Sequence, residues 1–371
     1  MKTIIKEHPG LDTGYDFTKI APKDQIVYLD IETTGLQAAG SHLYMIGCVS
    51  IGADTPVTTQ YFAEAFHDEE ELLKALSGYL EGKTRLIHFN GNTFDIPYLK
   101  QKYKQYDLPC PLDGMEGIDL YRRIRVFKEL LGLKDVKQKS VESLLETGRV
   151  DEYTGGDLIK VYHSYLLSHD EEAERLLLLH NEEDIVGLVK LSCFLTLGDL
   201  LNTPQEIYKV SLNTYRDYEQ NTRKELLIAL KLQNAFPLPL SLKADDLYLK
   251  LSQDECTIRV PVFEGELKYF YANYKDYYYL PEEDAAFHRS VAEFVDKEHR
   301  VKCSKKNCYT RRSSSYIPQF SPVVLPFFKK DYDDPQMYFE LTEDVKKDRL
   351  LFASYAMDII NYVVSCQNKD E

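Results

Sequence analysis

The 371-residue sequence has no tryptophan, and its apolar runs are short and interrupted. A membrane-spanning helix needs about 20 consecutive apolar residues, so we expect no membrane association. Residues 1–10 carry charges and a proline instead of an apolar block, which argues against a signal peptide. The seven cysteines are an odd number spread thinly along the chain. They predict reduced thiols and a cytoplasmic location rather than a disulfide framework.

Positive charge is scarce, because the sequence has 45 Lys and Arg but 60 Asp and Glu, which gives a formal net charge of −15. Proteins that coat nucleic acids bind phosphates largely by electrostatics, and this deficit argues against that class. It is compatible with an enzyme that brings phosphates to metal ions, since such a site requires carboxylates. The sequence shows no repeat period and no glycine-rich phosphate loop, which argues against a solenoid and against ATP-driven activity.

The N-terminal half of the sequence predicts an α/β architecture. Short apolar segments indicate strands at 25–31, 43–51, 58–63, 85–89 and 118–120. Amphipathic segments indicate helices, the longest of them at 67–80, 94–106 and 171–197. The resulting order, three strands followed by alternating helices and strands and then further helices, predicts a mixed sheet with flanking helices.

A polar stretch after residue 200 indicates a domain boundary, and we expect domains at 1–200 and 201–371. The second domain is predicted to be a smaller α+β module. Its alternating segments predict short strands at 226–232, 238–242, 247–251, 256–262 and 267–271. Helices are predicted near 282–295 and 344–364.

Carboxylates recur where predicted strands end or helices begin. Asp30 and Glu32 are two residues apart on a strand and therefore lie on one face. Asp95 begins a helix directly after a strand, and His180 and Asp184 share a helix face at a spacing of four. Each alone has an ordinary explanation, such as solvated charge or a helix cap. Together they indicate a shared site.

Asp and Glu oxygens suit Mg²⁺ or Mn²⁺ better than zinc. Two such ions roughly 3.5–4 Å apart can activate a water molecule and hold the leaving oxygen of a phosphodiester. A neighbouring histidine can accept the proton of that water near neutral pH. The residue types therefore fit phosphodiester hydrolysis with two divalent ions as cofactors.

The motif at 30–36 (DIETTGL) resembles the first motif of the DnaQ-like (DEDD) 3′–5′ exonucleases, which have the RNase H-like fold. The segment at 89–99 (FNGNTFDIPYL) resembles their second motif as found in family B polymerase proofreading domains, and 180–185 (HNEEDI) resembles the third. The resemblance covers roughly 24–197 and is strongest to the YprB-type predicted bacterial exonucleases. It implies a metal-dependent exonuclease acting on a single-stranded DNA or RNA end.

The resemblance also implies residue roles. The expected metal ligands are Asp30, Glu32, Asp95 and Asp184, and the expected general base is His180. One departure affects His180: in these exonucleases a histidine base precedes the last aspartate by five residues and a tyrosine by four. Here a histidine stands at the tyrosine spacing. One residue turns a helix by about 100°, so a histidine at this spacing leaves the helix in a different direction from the histidine base of these exonucleases.

Four further residues are candidates for substrate binding. In similar exonucleases the chain after the first motif holds the terminal nucleotide, which suggests Thr33, Thr34 and Leu36 here. A turn and a core leucine are the structural alternatives. Asn90 either reaches the substrate or forms a turn. Asp119 is interpreted as a helix cap in preference to a metal ligand.

Basic residues follow two of the carboxylates, at Lys100, Lys102 and Lys104 and again from Arg122 to Lys128. They either guide a phosphate backbone or form a solvated face. In the second module, residues 297–312 hold seven Lys or Arg, just after seven aromatics at 269–279. This combination is typical of single-strand binding, with a domain core as the alternative. A zinc site at Cys303, Cys308 and His299 is not expected.

Two other functions remain open. One is a binding module that keeps the fold without turnover, and the other is a structure-selective or RNA-trimming nuclease that uses the same site. The presence of all four carboxylates favours catalysis.

Overall fold

The computed structural model describes residues 1–52, 55–146, 148–151 and 153–367. They form two compact units. The first unit contains residues 1–198 and 234–238, and the second contains 199–233 and the chain from 239 onward. Within the described ranges, no helix has both the length and the apolar character that a membrane crossing requires.

A six-stranded mixed sheet forms the centre of the first unit. Its strands are β1 (Lys2–Glu7), β2 (Ile26–Thr33), β3 (Leu43–Ser50), β4 (Val57–Phe62), β5 (Arg85–His88) and β6 (Glu116–Asp119). Their order across the sheet is β1-β4-β3-β2-β5-β6. Strand β2 pairs antiparallel with β3 and parallel with β5. The predicted mixed sheet is confirmed, and β1 is an additional edge strand within a segment that looked too polar to be one.

Seven helices lie in the described chain up to residue 202, and the last of them crosses the boundary between the two units. They are α1 (Glu69–Tyr79), α2 (Asp95–Gln105), α3 (Leu120–Ile124), α4 (Gln138–Glu142), α5 (Gly155–Ser168), α6 (Glu171–Leu191) and α7 (Leu195–Asn202). The helix predicted at 171–197 is two helices, because a 3₁₀ turn at Ser192–Phe194 interrupts it. Asp170 caps the start of α6, because its carboxylate accepts a hydrogen bond from the Ala173 N–H.

Strand β2 is apolar at nearly every position because it is buried on both faces. Residues 26–29 and Ile31 are all less than 6% exposed and pack into the main core cluster or beside it. An inner strand covered on both sides has this continuous apolar composition. Asp30 and Glu32 are therefore exceptions in a buried strand, and their charges require a local explanation.

The second unit contains three smaller sheets. Its strands are β7 (Glu206–Arg216), β8 (Thr222–Ala244), β9 (Leu247–Pro261), β10 (Phe263–Phe270), β11 (Tyr277–Leu280), β12 (Ala285–His288), β13 (Val301–Lys302), β14 (Tyr309–Gln319), β15 (Phe327–Phe328) and β16 (Met337–Glu340). The sheet orders are β7-β8-β9, β10-β14-β16-β15 and β12-β11-β13. The helices are α8 (Arg289–Ala292), α9 (Glu343–Lys347) and α10 (Arg349–Gln367).

The strand predictions for this unit were too short. The segments predicted at 226–232 and 238–242 are both part of β8, and those at 247–251 and 256–262 are parts of β9. Pro237 and Pro239 made β8 look interrupted. The register of β7 with β8 reaches only Lys231, so these prolines break no hydrogen bond to β7.

The helix predicted at 282–295 was wrong over most of its length. Strand β12 occupies part of its first half and pairs with β11, with Leu280 opposite Ala285, and only α8 in the second half is helical. The intervening turn contains Asp284 at a φ of 44°, a left-handed conformation that is incompatible with a continuing helix. Its carboxylate accepts hydrogen bonds from the Tyr279 and Tyr309 hydroxyls. These tertiary contacts outweigh the local helical pattern.

Candidate active site

The first two carboxylates come from the end of β2. Asp30 lies opposite Gly47 of β3 and accepts a hydrogen bond from the Asn181 amide, with 3.2 Å between Nδ2 and Oδ2. Glu32 lies opposite Met45, directly before a register shift at Thr33. The two-residue spacing therefore directs both side chains to one face, as predicted.

The third carboxylate, Asp95, is the first residue of α2 and is 7% exposed. It follows a tight turn in which Asn90 has a φ of 60° and the Thr93 N–H donates to the Asn90 carbonyl. This turn carries the chain from the end of β5 to the start of α2. The start of the helix thereby places Asp95 among the strand-end carboxylates.

Helix α6 contributes the fourth carboxylate and the histidine. The Nε2 atom of His180 lies 3.2 Å from an Asp184 oxygen and 3.5 Å from Oε1 of Glu32. The four-residue spacing therefore does bring the imidazole into the site. Suitable ligand atoms of Glu32, His180 and Asp184 all lie within 4.8 Å of one another, which is a tight enough group to hold a metal ion.

The carboxylates raise one another's pKa. Burial, together with the charges of Asp184, Asp95 and Glu32, holds the pKa of Asp30 well above its usual value. Burial likewise raises the pKa of Glu32 to about 8 against the lowering effect of His180, and raises that of Asp95 to about 7. Negative charge is therefore unfavourable here without a cation.

Asp184 behaves differently because cationic groups contact both of its oxygens. Burial raises its pKa, but hydrogen bonding to His180 and the charges of His180 and Arg149 outweigh burial and lower it. The Arg149 guanidinium lies 2.6 Å from Oδ1, and His180 faces Oδ2. Burial also opposes protonation of His180, yet its carboxylate neighbours raise its pKa to about 9.

The segment 148–151 supplies contacts to α6 that the sequence did not reveal. Asp151 is 9% exposed, and its Oδ2 atom lies 2.6 Å from Nδ1 of His180. Glu183 accepts hydrogen bonds from the Val150 and Asp151 N–H groups, at 3.0 and 2.8 Å. The imidazole is thus held at Nδ1 while Nε2 points at the carboxylates.

Two glycines make room for polar side chains around the site. A Cβ atom on Gly47 would lie 2.3 Å from Oδ1 of Asn181, and one on Gly187 would lie 2.0 Å from Oε1 of Glu142. Asn181 also accepts a hydrogen bond from Gln60 and so is oriented toward Asp30. A larger residue at Gly47 would displace Asn181, which contacts Asp30, and one at Gly187 would displace Glu142, which pairs with Arg149.

The predicted substrate-binding residues differ in their surroundings. The Thr33 hydroxyl donates to the Gly35 carbonyl, and the Thr34 hydroxyl accepts from the His42 N–H, so both stabilise the local turn. Leu36 is 84% exposed, which rules out the core alternative. Asn90 forms the turn described above, and its own N–H donates to Asp119.

The interpretation of Asp119 as a helix cap is confirmed, because its carboxylate accepts a hydrogen bond from the Arg122 N–H at the start of α3. The basic cluster after Asp95 does not form a uniform phosphate surface. Lys102 is 3% exposed and pairs with the buried Glu69 at 2.7 Å, and Lys100 pairs with Asp113. Both of these lysines therefore form ion pairs within the protein.

Sequence patterns missed Asp151, Arg149 and Asn181. Asn181 directly follows His180 within the third motif, so its place in that motif was an available signal. Asp151 lies 29 residues before its histidine partner in an irregular segment. Neither strand nor helix periodicity applies to such a segment, so no local pattern predicts that contact.

Comparisons with known proteins concern the region that holds this site. Residues 27–196 match the family model of the RNase_H superfamily, and this part of the chain has an RNase H-like fold. No curated protein matches the chain. A family B DNA polymerase from the hyperthermophilic archaeon Pyrobaculum calidifontis is similar to 66% of this chain, at 13% identity and a TM-score of 0.37. The similarity extends over 33% of that polymerase, so this chain corresponds to about a third of its length.

Proposed function

We propose that the protein is a metal-dependent 3′–5′ exonuclease that hydrolyses phosphodiester bonds of single-stranded DNA or RNA. The observation that supports this most directly is the convergence of four carboxylates on one buried site, those of Asp30, Glu32, Asp95 and Asp184. Any two of them are close enough for the charge of one to affect the pKa of the other. The RNase H-like fold of residues 27–196 supports a nuclease. The motif resemblance to the DEDD exonucleases, in particular the YprB-type proteins, supports the direction of cleavage.

The donor set fits two divalent cations. The four carboxylates supply oxygen ligands of the kind Mg²⁺ and Mn²⁺ prefer, and three of them have raised pKa values in the absence of positive charge. Asp30, Glu32, Asp95 and Asp184 would hold the ions. When bound, such ions would make water more acidic and stabilise the leaving oxygen of a phosphodiester.

His180 is proposed to accept the proton of the attacking water. Its Nδ1 atom contacts Asp151, which fixes the ring and leaves Nε2 facing the carboxylates. A general base must lie within hydrogen-bond reach of the proton it removes, and Nε2 is the ring atom placed toward the site. Asp184 keeps the imidazole in place from the opposite side, 3.2 Å away.

Thr33, Thr34, Leu36 and Asn90 are proposed to bind the terminal nucleotide. Leu36 has the strongest support, because a large apolar side chain that is 84% exposed beside a catalytic strand is available to contact a base. The two threonines are engaged in the turn, so they would act through the backbone conformation they stabilise.

We further propose that residues 1–200 form the catalytic domain and 201–371 an accessory domain. The division of the described chain near residue 198 supports this assignment. A reducing compartment such as the cytoplasm is part of the proposal. The seven cysteines, all of them free thiols, support it.

The test is cleavage of single-stranded DNA and RNA by the purified protein with Mn²⁺ or Mg²⁺. Each strand carries a fluorescent label and is blocked at either its 3′ or its 5′ end. We expect stepwise shortening that a 3′ block prevents and a 5′ block does not. Inhibition by the 5′ block instead would contradict the proposed direction, and binding without cleavage under all metal conditions would favour the binding-module alternative.

A further inference from the structure

A cavity of about 520 Å³ lies in the second unit, and none of the residues that line it is assigned to the active site. Its walls include Phe270 at the end of β10 and Phe327 of β15, which lie on the same face of the four-stranded sheet. Tyr332 contacts Phe270 edge to face, with ring centroids 5.4 Å apart. The volume is in the range of pockets that bind small organic ligands.

Two lysines complete the lining. Lys305 lies in the 303–308 loop, which is held against the cavity because the Tyr271 N–H donates to the Cys308 carbonyl at 2.9 Å. Lys329 pairs through its backbone with Lys268 of β10, with hydrogen bonds in both directions. Both ammonium groups therefore belong to chain segments that the fold fixes in place.

The cavity is locally positive in a protein with a net charge of −15. None of the described residues that line it is acidic. The nearest acidic residues in sequence to Lys329 are occupied elsewhere: Asp331 pairs with Lys268, and Asp333 pairs with Lys306. Lys305 and Lys329 have no carboxylate partner among the described contacts. Lys329 Nζ donates to the Tyr332 carbonyl, 3.4 Å away, and this neutral partner leaves its charge uncompensated.

We propose that this cavity binds a nucleotide unit, with its base against the aromatic side chains and its phosphate at Lys305 and Lys329. Aromatic rings combined with basic groups hold single strands by stacking and charge, without reading sequence. This inference rests on the proposed nucleic-acid substrate, and it assigns part of substrate affinity to the second unit. The same chemistry would also accept a free nucleotide.

Two double variants with identical charge change test the assignment in the full-length protein. Lys305→Ala with Lys329→Ala removes the cavity lysines. Lys306→Ala with Lys330→Ala removes their immediate neighbours in the sequence, Lys306 paired with Asp333 and Lys330 placed over the Phe263 ring. Binding of a fluorescein-labelled 12-nucleotide dT strand is measured by anisotropy in EDTA, so that no cleavage occurs. Unlabelled AMP serves as the free-nucleotide competitor.

We expect the cavity variant to weaken strand binding at least tenfold and the neighbour variant to stay within about twofold of wild type. Loss of the one phosphate that the two lysines hold together should also lower the magnitude of the slope of log K against log salt by about 0.7. Displacement of the strand by AMP in wild type, and not in the cavity variant, would identify a free nucleotide as an additional ligand. Equal weakening in both variants, or none in either, would overturn the inference.

Because binding is measured without metal, the result is independent of the proposed nuclease activity. Strand binding through the cavity by a protein that never cleaves would refute the exonuclease proposal alone. Cleavage by wild type with no difference between the two double variants would refute the cavity alone. All four lysines are outside the buried core, and circular dichroism checks that both variants fold. A Lys305→Gln, Lys329→Gln pair repeats the test with closer side-chain volume.

Discussion

The two units handle charge in opposite ways. In the first, carboxylates of one sign converge in a buried site, and three of them have raised pKa values. In the second, many basic residues that looked like a binding surface are exposed and already paired, such as Arg312 with Glu340 and Arg311 with Glu266. Buried charge without compensation costs stability, whereas exposed pairs are nearly neutral. Uncompensated charge is therefore the better indicator of function.

The same criterion separates lysines within the second unit. Lys306, Arg311 and Arg312 were predicted together with Lys305 as a phosphate-binding cluster, but the first three each contact a carboxylate. Lys305 instead lines a cavity beside aromatic residues. A count of basic residues in a sequence window cannot make this distinction, because the partners lie on other strands.

The largest effect on activity is expected from the removal of one buried carboxylate of the first unit. If Asp30 is a metal ligand as proposed, Asp30→Asn should reduce cleavage at least about 10³-fold, because removal of a ligand forfeits several kcal/mol of transition-state stabilisation. Asp113→Asn, an exposed carboxylate of the same unit, is the matched control and should retain wild-type rates. Comparable activity in the two variants would remove Asp30 from the site.

Loss of the imidazole should have the next largest effect. His180→Ala is expected to lower the rate roughly 10²–10⁴-fold with little change in metal affinity. The wild-type rate should fall as the pH drops below the pKa of His180, which is about 9 without metal and lower once cations compensate its carboxylate neighbours. This low-pH limb of the rate profile should be absent in His180→Ala. Rates measured from pH 5.5 to 9 test this. If the variant matches wild type at every pH, His180 is not the base. If His180→Tyr is much faster than His180→Ala, the side chain serves mainly to orient water.

The metal-free protein should lose stability as pH rises. Glu32 and Asp95 have folded-state pKa values of about 8 and 7, above their usual 4.5 and 3.8, so the folded state binds more protons than the unfolded state between roughly pH 4 and 8. The free energy of unfolding should therefore decrease across that window, by on the order of a few kcal/mol. Urea denaturation in EDTA at pH 5 and pH 8 measures it.

Added cation should reverse this loss, because positive charge compensates the ionised carboxylates. Saturating Mn²⁺, at 100 times its Kd, should contribute about 2.7 kcal/mol at pH 8. Asp30→Asn should show a weaker pH dependence and a smaller gain from Mn²⁺. A free energy of unfolding that rises from pH 5 to pH 8 without metal would contradict the electrostatic picture of the site.

Asp151 should have a smaller effect because it acts through His180. We expect Asp151→Asn to lower the rate about 10–100-fold, as is usual for groups that orient a functional histidine. Its charge raises the pKa of His180, so the low-pH limb should also move to lower pH. Asp151→Glu, which keeps the charge, should restore the position of the limb. A reduced rate with an unmoved limb would assign Asp151 a purely structural role.

The sequence predicts the parts of this site that depend on local geometry. Asp30 and Glu32 share a strand face at a spacing of two, and His180 and Asp184 share a helix face at a spacing of four. Both periodicities are properties of regular backbone and need no tertiary information. The need for glycine at positions 47 and 187 is different, because it follows from the close approach of Asn181 and Glu142. Only the three-dimensional structure identifies those neighbours.

Sequence patterns did not predict the contacts between irregular segments and distant elements. Asp151 contacts His180 from a segment without periodicity. Asp284 lies in a turn where a helix was predicted, and two tyrosine hydroxyls donate hydrogen bonds to its carboxylate. The length of β8 was missed for a related reason, since proline disrupts a strand only where its missing N–H would have paired. Long-range pairing decides each of these cases.

The smallest expected effect concerns the exposed ion pairs of the second unit. Arg312 lies 2.6 Å from Glu340, and its side chain is 62% exposed, so solvent screens the attraction. Arg312→Met should reduce the free energy of unfolding by only about 0.2–1 kcal/mol, partly because Glu340 keeps a hydrogen bond from the Ser314 hydroxyl. A double-mutant cycle with Glu340→Gln in urea measures the coupling at low and high salt. A coupling well above 1 kcal/mol that persists in high salt would mean that this pair is effectively buried, and the contrast between the two units would then not hold at this position.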